Sequence, residues 1–326
     1  MKNLYVISGV TGMTGNELAR QLLNNGHTVI GFDNFFASSI DAVQDIVNNK
    51  NFLFYEYDLN NVEQMSEISR LVGNIQQNYA RIIYINCAAV VHTEHFYEVE
   101  HTFTTNVVSM RSFLQQAISV HADTYINCST SEVYSMQSWN ECGGVKEDDF
   151  LLLATAEHSQ RTSYAVGKLL TEFFMKDAVD KGLIKGCSIR FANVYSNHER
   201  FAKHIIPHII DSLSKTGEVI LLENSKKNMR SFLHNIDSCR AVLELMASTS
   251  ALDGTVYNVA TDEEVSIIDL VKLIAEPIIR FEGYRASDPE RRILDTDKIR
   301  KRTNWKPVVS LSEGLDMCVQ NLSKYR

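Results

Sequence analysis

The sequence predicts an α/β fold: a doubly wound parallel sheet with a smaller α/β lobe interleaved toward the C-terminus. Three observations carry that expectation. Short apolar runs alternate with helix-patterned segments as far as about residue 196, the pattern of a parallel sheet covered on both faces. A glycine-rich loop, "SGVTGMTG" at residues 8–15, closes the first run and opens a helical pattern. The second run ends in an acid, Asp33.

"NLYVIS", residues 3–8, is short, apolar and closed by glycine, as a buried strand is. From Gly15, "GNELARQLLNNG" puts Leu18, Ala19, Leu22 and Leu23 on one helical face and stops at Gly26, a C-cap signal. "HTVIGFD" is the second strand, "NFLFYEYDL" the third and "RIIYINCAA" the fourth, with a helix-like segment at 61–78 before the last of these. A helix over 104–121 precedes the fifth strand, "DTYINCSTS", and "KGCSIRFANVY" is the sixth. Beyond about residue 196, "EVILLEN", "MRSFLHNIDSCRAVLELM", "GTVYNVA" and a helix-like tail read as a smaller lobe. Within it "HNIDSCRAVLELM" is expected to be helical and to pack back on the first domain. The expected division is 1–192 plus about 233–260 for the sheet domain, and 193–232 with 261–326 for the lobe. Only 4 prolines, no low-complexity tract and no repeat argue against a long linker.

Composition limits the function classes. With 326 residues, 44% hydrophobic and 22% charged, the chain reads as a soluble globular protein. A net charge of −8 offers no basic face for nucleic acid. Cysteines at 87, 128, 142, 187, 239 and 318 form no CxxC pair and have no metal-ligand spacing, so they are expected to be reduced core residues of a cytoplasmic protein, with no metal centre. No apolar run approaches about 18 residues, so no membrane span is expected. With a glycine motif beginning at Gly9, no signal peptide is expected in these first residues.

Glycines at 9, 12 and 15 permit a tight turn and close backbone approach to a pyrophosphate, with the free N–H groups of a helix N-terminus beyond it. Asp33, 18 residues after Gly15, can accept hydrogen bonds from a ribose and repel a 2′-phosphate, which favours NAD over NADP. The bland alternative is a structural glycine turn and a surface acid; the strand–loop–helix order favours the dinucleotide. The sheet is then of Rossmann type. Asp58 closes the third strand, as an adenine contact or as a solvated acid. In "SYAVGK", Tyr164 and Lys168 stand four apart on one helical face. A phenol of pKa about 10 is a poor base alone. A nearby ammonium and a positively charged nicotinamide ring favour phenolate, which can take a proton from an alcohol as hydride leaves its carbon. Thr130, in "NCSTSEVY" at 127–134, could hold the same alcohol oxygen.

With "TTNVVSMRSFLQQA", "SIRFANVY", "MRSFLHNID", "TVYNVATDEEVSIIDLV" and "DTDKIRKRTNWKP", these motifs resemble the extended short-chain dehydrogenases/reductases nearly end to end. Within that group the resemblance is to the NAD-dependent nucleotide-sugar epimerases/dehydratases. It implies that Tyr164 is the catalytic tyrosine, Lys168 its partner and Thr130 the substrate-hydroxyl contact. It implies NAD contacts from Gly9, Thr11, Gly12, Met13 and Gly15, from Asp33 and Asn34, and from Asp58 and Leu59. Ala88, Ala89 and Asn106 complete that set, with Tyr164 and Lys168. For a nucleotide-diphosphate sugar it implies contacts from His92, Thr130 and Asn193, and a diphosphate clamp by Arg230 and Arg292. The helices at about 104–119 and 163–180 resemble the pair that builds a four-helix homodimer interface.

Family members share oxidation of the sugar at C4 and then diverge. Epimerases need no further acid or base, dehydratases remove the C5 proton, and decarboxylases lose a C6 carboxylate. "STSEVY" resembles the Thr-Ser-Glu of GDP-mannose 4,6-dehydratases and of UDP-glucuronate decarboxylases, whereas dTDP-glucose dehydratases carry Asp where Ser131 stands. "AAVVH", 88–92, resembles the AAxSH of 4,6-dehydratases. The leading expectation is therefore 4,6-dehydration. Ser131 would help the C6 leaving group, and Glu132 would take the C5 proton with a pKa raised by burial. Epimerisation, decarboxylation and a non-catalytic NAD sensor stay open. Ser135 and "SNHER" stand where the family usually has Gly and Gly-Pro.

Overall fold

A computed structural model describes residues 2–134, 144–153, 162–199, 201, 203–285 and 288–324. Ser135, Cys142 and Arg200 lie outside the described residues.

The chain opens β1 (Leu4–Ser8), α1 (Met13–Asn24), β2 (Thr28–Asp33), β3 (Phe52–Glu56), α2 (Val62–Ile75) and β4 (Ile82–Asn86). Helix α1 buries Leu18, Ala19, Leu22 and Leu23, the predicted face, and stops before Gly26 at φ +78°. Asn61 caps α2 by accepting from the N–H groups of Glu63 and Gln64. The next helix starts earlier than predicted: α3 (Val99–Phe103), a π-helical turn over Thr104–Ser109, then α4 (Met110–Ser119). Next come β5 (Thr124–Thr130), α5 (Thr162–Asp180) and β6 (Lys185–Phe191).

The expected sixth strand is two. Asn193 adopts φ +41°, which ends β6 and restarts the chain as β7 (Val194–Tyr195). The remainder runs α6 (Ile205–Thr216), β8 (Glu218–Leu221), β9 (Met229–Ser231), β10 (Leu233–His234), α7 (Asn235–Ala247) and β11 (Asp253–Val259). It closes with β12 (Glu264–Ser266), α8 (Ile267–Ile274), β13 (Ile278–Phe281), β14 (Arg291–Arg292), α9 (Asp297–Arg302) and α10 (Leu311–Lys324).

Seven strands form one parallel sheet in the order β11-β6-β5-β4-β1-β2-β3. Side chains alternate across it. Tyr5 and Ile7 of β1 enter the layer with Leu18, Leu22, Val242 and Leu245, while Leu4 and Val6 enter the opposite layer with Phe32, Tyr84, Phe113 and Met175. Helix α7 packs beside α1 under the first layer. A separate apolar cluster around Ile206, Ile209, Leu270, Val271 and Leu315 supports the short β-pairs of the C-terminal part. Among the described residues, no helix is long and apolar enough to cross a membrane.

Asp237 of α7 fastens the C-terminal segment to the sheet domain. Fully buried, it accepts from Arg240 and from the N–H groups of Val308 and Val309 at 2.9 and 2.8 Å, while its backbone carbonyl accepts from the Trp305 indole at 3.0 Å. Asp237→Ala leaves two backbone donors unpaired and should lower unfolding stability by about 2–4 kcal/mol. Denaturant titration against wild type measures that loss.

Candidate active site

The carboxyl ends of the sheet strands open into a cavity of about 1030 Å³, at the upper end of ordinary ligand sites. Its floor is the glycine loop. Gly9 holds φ +68°, and a Cβ there would lie 2.7 Å from the Cα of Ala88 at the end of β4. A Cβ on Gly15 would sit inside the van der Waals surface of the Gly9 carbonyl oxygen. Gly12 precedes α1, whose first turn carries no acidic residue and no side-chain cap, so its N–H groups remain available to an anion. Thr11, Met13, Asn34, Asp58, Leu59, Ala88 and Ala89 line the same cavity.

Asp33 ends β2 facing this loop. Its carboxylate accepts from the N–H groups of Thr11 at 3.1 Å and Phe35 at 2.9 Å, and the Thr11 hydroxyl meets Ser38 at 2.6 Å. Asn106 is placed differently from the expectation. Its amide exchanges both of its hydrogen bonds with the backbone of Val90, at 2.7 and 3.2 Å, and it does not line the cavity. It braces the loop after β4, because the π-helical turn points it inward.

At the far end of the cavity stand Thr130, Tyr164 and Lys168. Tyr164 is buried, its ring stacked on Phe96 with centroids 4.5 Å apart and planes 9° from parallel. Ser163 donates to the Phe96 carbonyl at 2.9 Å, fixing the same segment. Burial pushes the Tyr164 phenol well above its usual pKa; the Glu132 carboxylate adds to that, and a hydrogen bond with Thr130 opposes it. Lys168 donates to the Cys128 carbonyl at 2.9 Å. Burial lowers its pKa, against opposing contributions from Cys128, Cys87 and Glu172.

Histidine 92 lines the cavity and packs on Phe201, ring centroids 3.7 Å apart, with His204 at 5.5 Å. Burial, then His204 and His95, lower its pKa to about 4, so it is a neutral imidazole at neutral pH. Asn193 lines the cavity and donates to the Ser231 carbonyl at 2.9 Å.

Arg230 and Arg292, expected as a diphosphate clamp, and Glu132, expected as a base, are each engaged with an opposite charge. Arg230 and Arg292 are register partners on β9 and β14, but neither lines the cavity. Arg230 pairs with Asp288 at 2.8 Å, and Arg292 pairs with Glu132 at 2.8 Å. Glu132 thus has the Arg292 guanidinium beside it, and its side chain is 20% exposed. Both arrangements follow from burying cations next to acids, which lowers the desolvation cost of each. Ser131 is buried directly behind Thr130 and, like Glu132, lies outside the cavity lining.

Sequence reasoning missed Phe96, Ser38, Phe201 and His204, which carry no motif. It also missed Glu172 and Arg190, whose signals were present: an acid four residues after Lys168, and an arginine inside the apolar run "CSIRF". The five described cysteines are free, as expected, and the sulfurs of Cys87 and Cys128 lie 3.7 Å apart.

A protein-family model described as the NAD dependent epimerase/dehydratase family matches residues 5–260. Low-salt glycan biosynthesis protein Agl12 of Haloferax volcanii is 25% identical, with 96% of each chain covered. UDP-glucuronic acid decarboxylase 1 of Danio rerio is 25% identical over 98% of this chain and 72% of its own. The crystal structure of a double mutant of DesIV, a dTDP-glucose 4,6-dehydratase from Streptomyces venezuelae with NAD bound, superimposes with a TM-score of 0.84 at 20% identity, covering 99% of this chain and 97% of that one. The glycine cradle and Asp33 fit the coenzyme named in the family's description. Gly15→Ala should leave the sheet intact, by circular dichroism, yet weaken NAD binding in calorimetry by more than about tenfold.

Proposed function

Because this chain belongs to the NAD dependent epimerase/dehydratase family, we propose that it oxidises a nucleotide-diphosphate hexose at C4 and then eliminates water across C5 and C6. The observation that carries this reading is the position of Glu132. It follows Thr130 by two residues, its backbone N–H donates to the Thr130 hydroxyl at 3.2 Å, and its carboxylate meets Arg292 at 2.8 Å.

Bound NAD supplies the two-electron acceptor for the hydrogen on C4. Tyr164 takes the proton of the 4-hydroxyl, and Thr130, hydrogen-bonded to the same phenol, orients that hydroxyl. The Lys168 ammonium favours phenolate over phenol. A ketone at C4 acidifies the neighbouring C5 proton. Glu132, with Arg292 beside it, is the base for that proton, the Ser131 hydroxyl assists departure of the C6 oxygen as water, and return of the C4 hydrogen to C6 with a proton to C5 would restore the coenzyme, so that the net change is loss of one water. His92, neutral and buried, offers the sugar a hydrogen-bonding group without charge.

A second reading has its own support. The Arg292 guanidinium beside Glu132 is a fitting partner for a C6 carboxylate, and UDP-glucuronic acid decarboxylases are among the relatives. With a C4 ketone, a C6 carboxylate belongs to a β-keto acid and leaves as carbon dioxide.

We further propose a homodimer through α3–α4 and α5. Helix α5 is apolar on its outer side as well as its inner one. Phe173 is 61% exposed and Val166 and Leu170 are also exposed, with Val99 and Phe103 exposed on the neighbouring helix. A second copy of the chain is the occupant this reading requires. Phe173→Glu should shift the protein from dimer to monomer in sedimentation velocity; a wild type that sediments as a monomer overturns the proposal.

Mass spectrometry of products from UDP-, GDP-, CDP- and dTDP-sugars tests the reaction. Loss of one water is expected; loss of carbon dioxide supports the second reading, an unchanged mass with a new epimer in the proton NMR spectrum supports epimerisation, and unaltered substrate despite bound NAD favours a sensor. Tyr164→Phe should slow C4 oxidation about 10²–10⁴-fold. Glu132→Gln should still reduce the nicotinamide but stop water loss; full product from that variant removes Glu132 as the base.

A further inference from the structure

Behind the Tyr164–Lys168 pair lies a buried charge network that no motif announces. Glu172 of α5, 4% exposed, accepts from Arg190 of β6 at 2.7 and 3.0 Å and from the Ser129 hydroxyl of β5 at 2.6 Å. Arg190 also donates to the Tyr134 hydroxyl at 2.9 Å, and Tyr134 donates to Asn258 of β11 at 2.7 Å. Ser129 sits between Cys128, whose carbonyl accepts from Lys168, and Thr130, the partner of Tyr164. The carboxylate of Glu172 thus grips β5 at the one residue between the two that contact the catalytic pair. On α5 it stands one turn beyond Lys168, on the same face.

The groups facing Lys168 come from four elements. Tyr164 and Glu172 share its helix, Cys128 comes from β5, Cys87 immediately follows β4, and Arg190 of β6 stands behind Glu172. Thiols carry little charge at neutral pH, and the hydrogen bond with Cys128, then burial, hold Cys87 further in its thiol form. Cys128, Cys87 and then Glu172 oppose the burial that favours the neutral amine, and among these the Glu172 carboxylate is the one in an ion pair, with Arg190 at 2.7 Å.

We propose that Glu172 is a positioning residue for Tyr164 and Lys168: clamped by Arg190 and Ser129, it holds a buried carboxylate one helical turn from Lys168 and sets the end of β5 beneath the reacting hydroxyl. The proposal rests on the reading of Tyr164 and Lys168 as the proton-transfer pair, and it assigns to Arg190 the opposite electrostatic sign. Glu172→Gln keeps the shape and removes the anion. Arg190→Met removes the cation that offsets it. A purely structural ion pair would make the two variants alike; an electrostatic role makes them move Lys168 in opposite directions.

The measurement is a pH titration of side-chain ¹³C-labelled lysine by NMR in NAD-saturated protein, with the Lys168 signal identified by its loss in Lys168→Arg. In Glu172→Gln the Lys168 midpoint should fall by about one pH unit or more, and in Arg190→Met it should rise. An unmoved midpoint in Glu172→Gln, or movement in the same direction in both variants, overturns the proposal. Should either single variant not fold, Glu172→Gln/Arg190→Met leaves no buried charge unpaired; its midpoint should still lie below that of wild type, and an unchanged value overturns the proposal. With a substrate, the acid limb of kcat/KM should move to higher pH in Glu172→Gln by about the same amount. The NMR readout needs no turnover, so failure of the proposed reaction and failure of this inference are separable.

Discussion

Strands that all run one way must also end on one edge, and the site depends on that constraint. β1 ends at Ser8 and passes into the glycine loop, β2 ends at Asp33, and β5 ends at Thr130. The parallel ladders pair Ser8 with Asn86, Asn86 with Asn127, and Thr130 with Phe191. Polar rungs inside the sheet reinforce this register: Ser8 donates to Asn86 at 2.7 Å, and Asn127 donates to Ser188 at 3.1 Å and Thr171 at 3.0 Å. A slip of any one strand would unpair several of these buried groups together, so the cofactor end and the tyrosine end of the cavity are held in one frame.

Within that frame, burial opposes the proposed chemistry. It favours phenol at Tyr164 and free amine at Lys168, the opposite of what the proposed proton abstraction requires. On that reading the counter-charges come from the network beneath Lys168 and from the positive ring of the coenzyme.

What could be read from the sequence was what lies close along the chain. The first six strands of the large sheet, the inner face of α1, and the four-residue step from Tyr164 to Lys168 follow from periods of two and 3.6 residues, and the glycine loop follows from its spacing. What could not be read was which distant charges meet. Arg292 reaches Glu132 across 160 positions, Arg190 reaches Glu172 through the sheet, and Phe96 covers Tyr164 from a loop with no motif. Such pairings depend on the packing of finished elements. The early start of α3 was hidden for a related reason: "VEHTF" buries only Thr102, so its helix shows no apolar stripe.

The π-helical turn at Thr104–Ser109 carries a demand on chain length. An α-helix advances about 100° per residue, so removing one residue there would rotate everything downstream by that angle relative to everything upstream. Either Asn106 would swing away from Val90, or Met110, Phe113 and Leu114 would swing out of the layer under the sheet. The bulge reconciles two faces that a uniform helix could not present together. At this point the fold encodes a residue count as well as residue identities, and a deletion that spared every named side chain would still disorder the loop after β4.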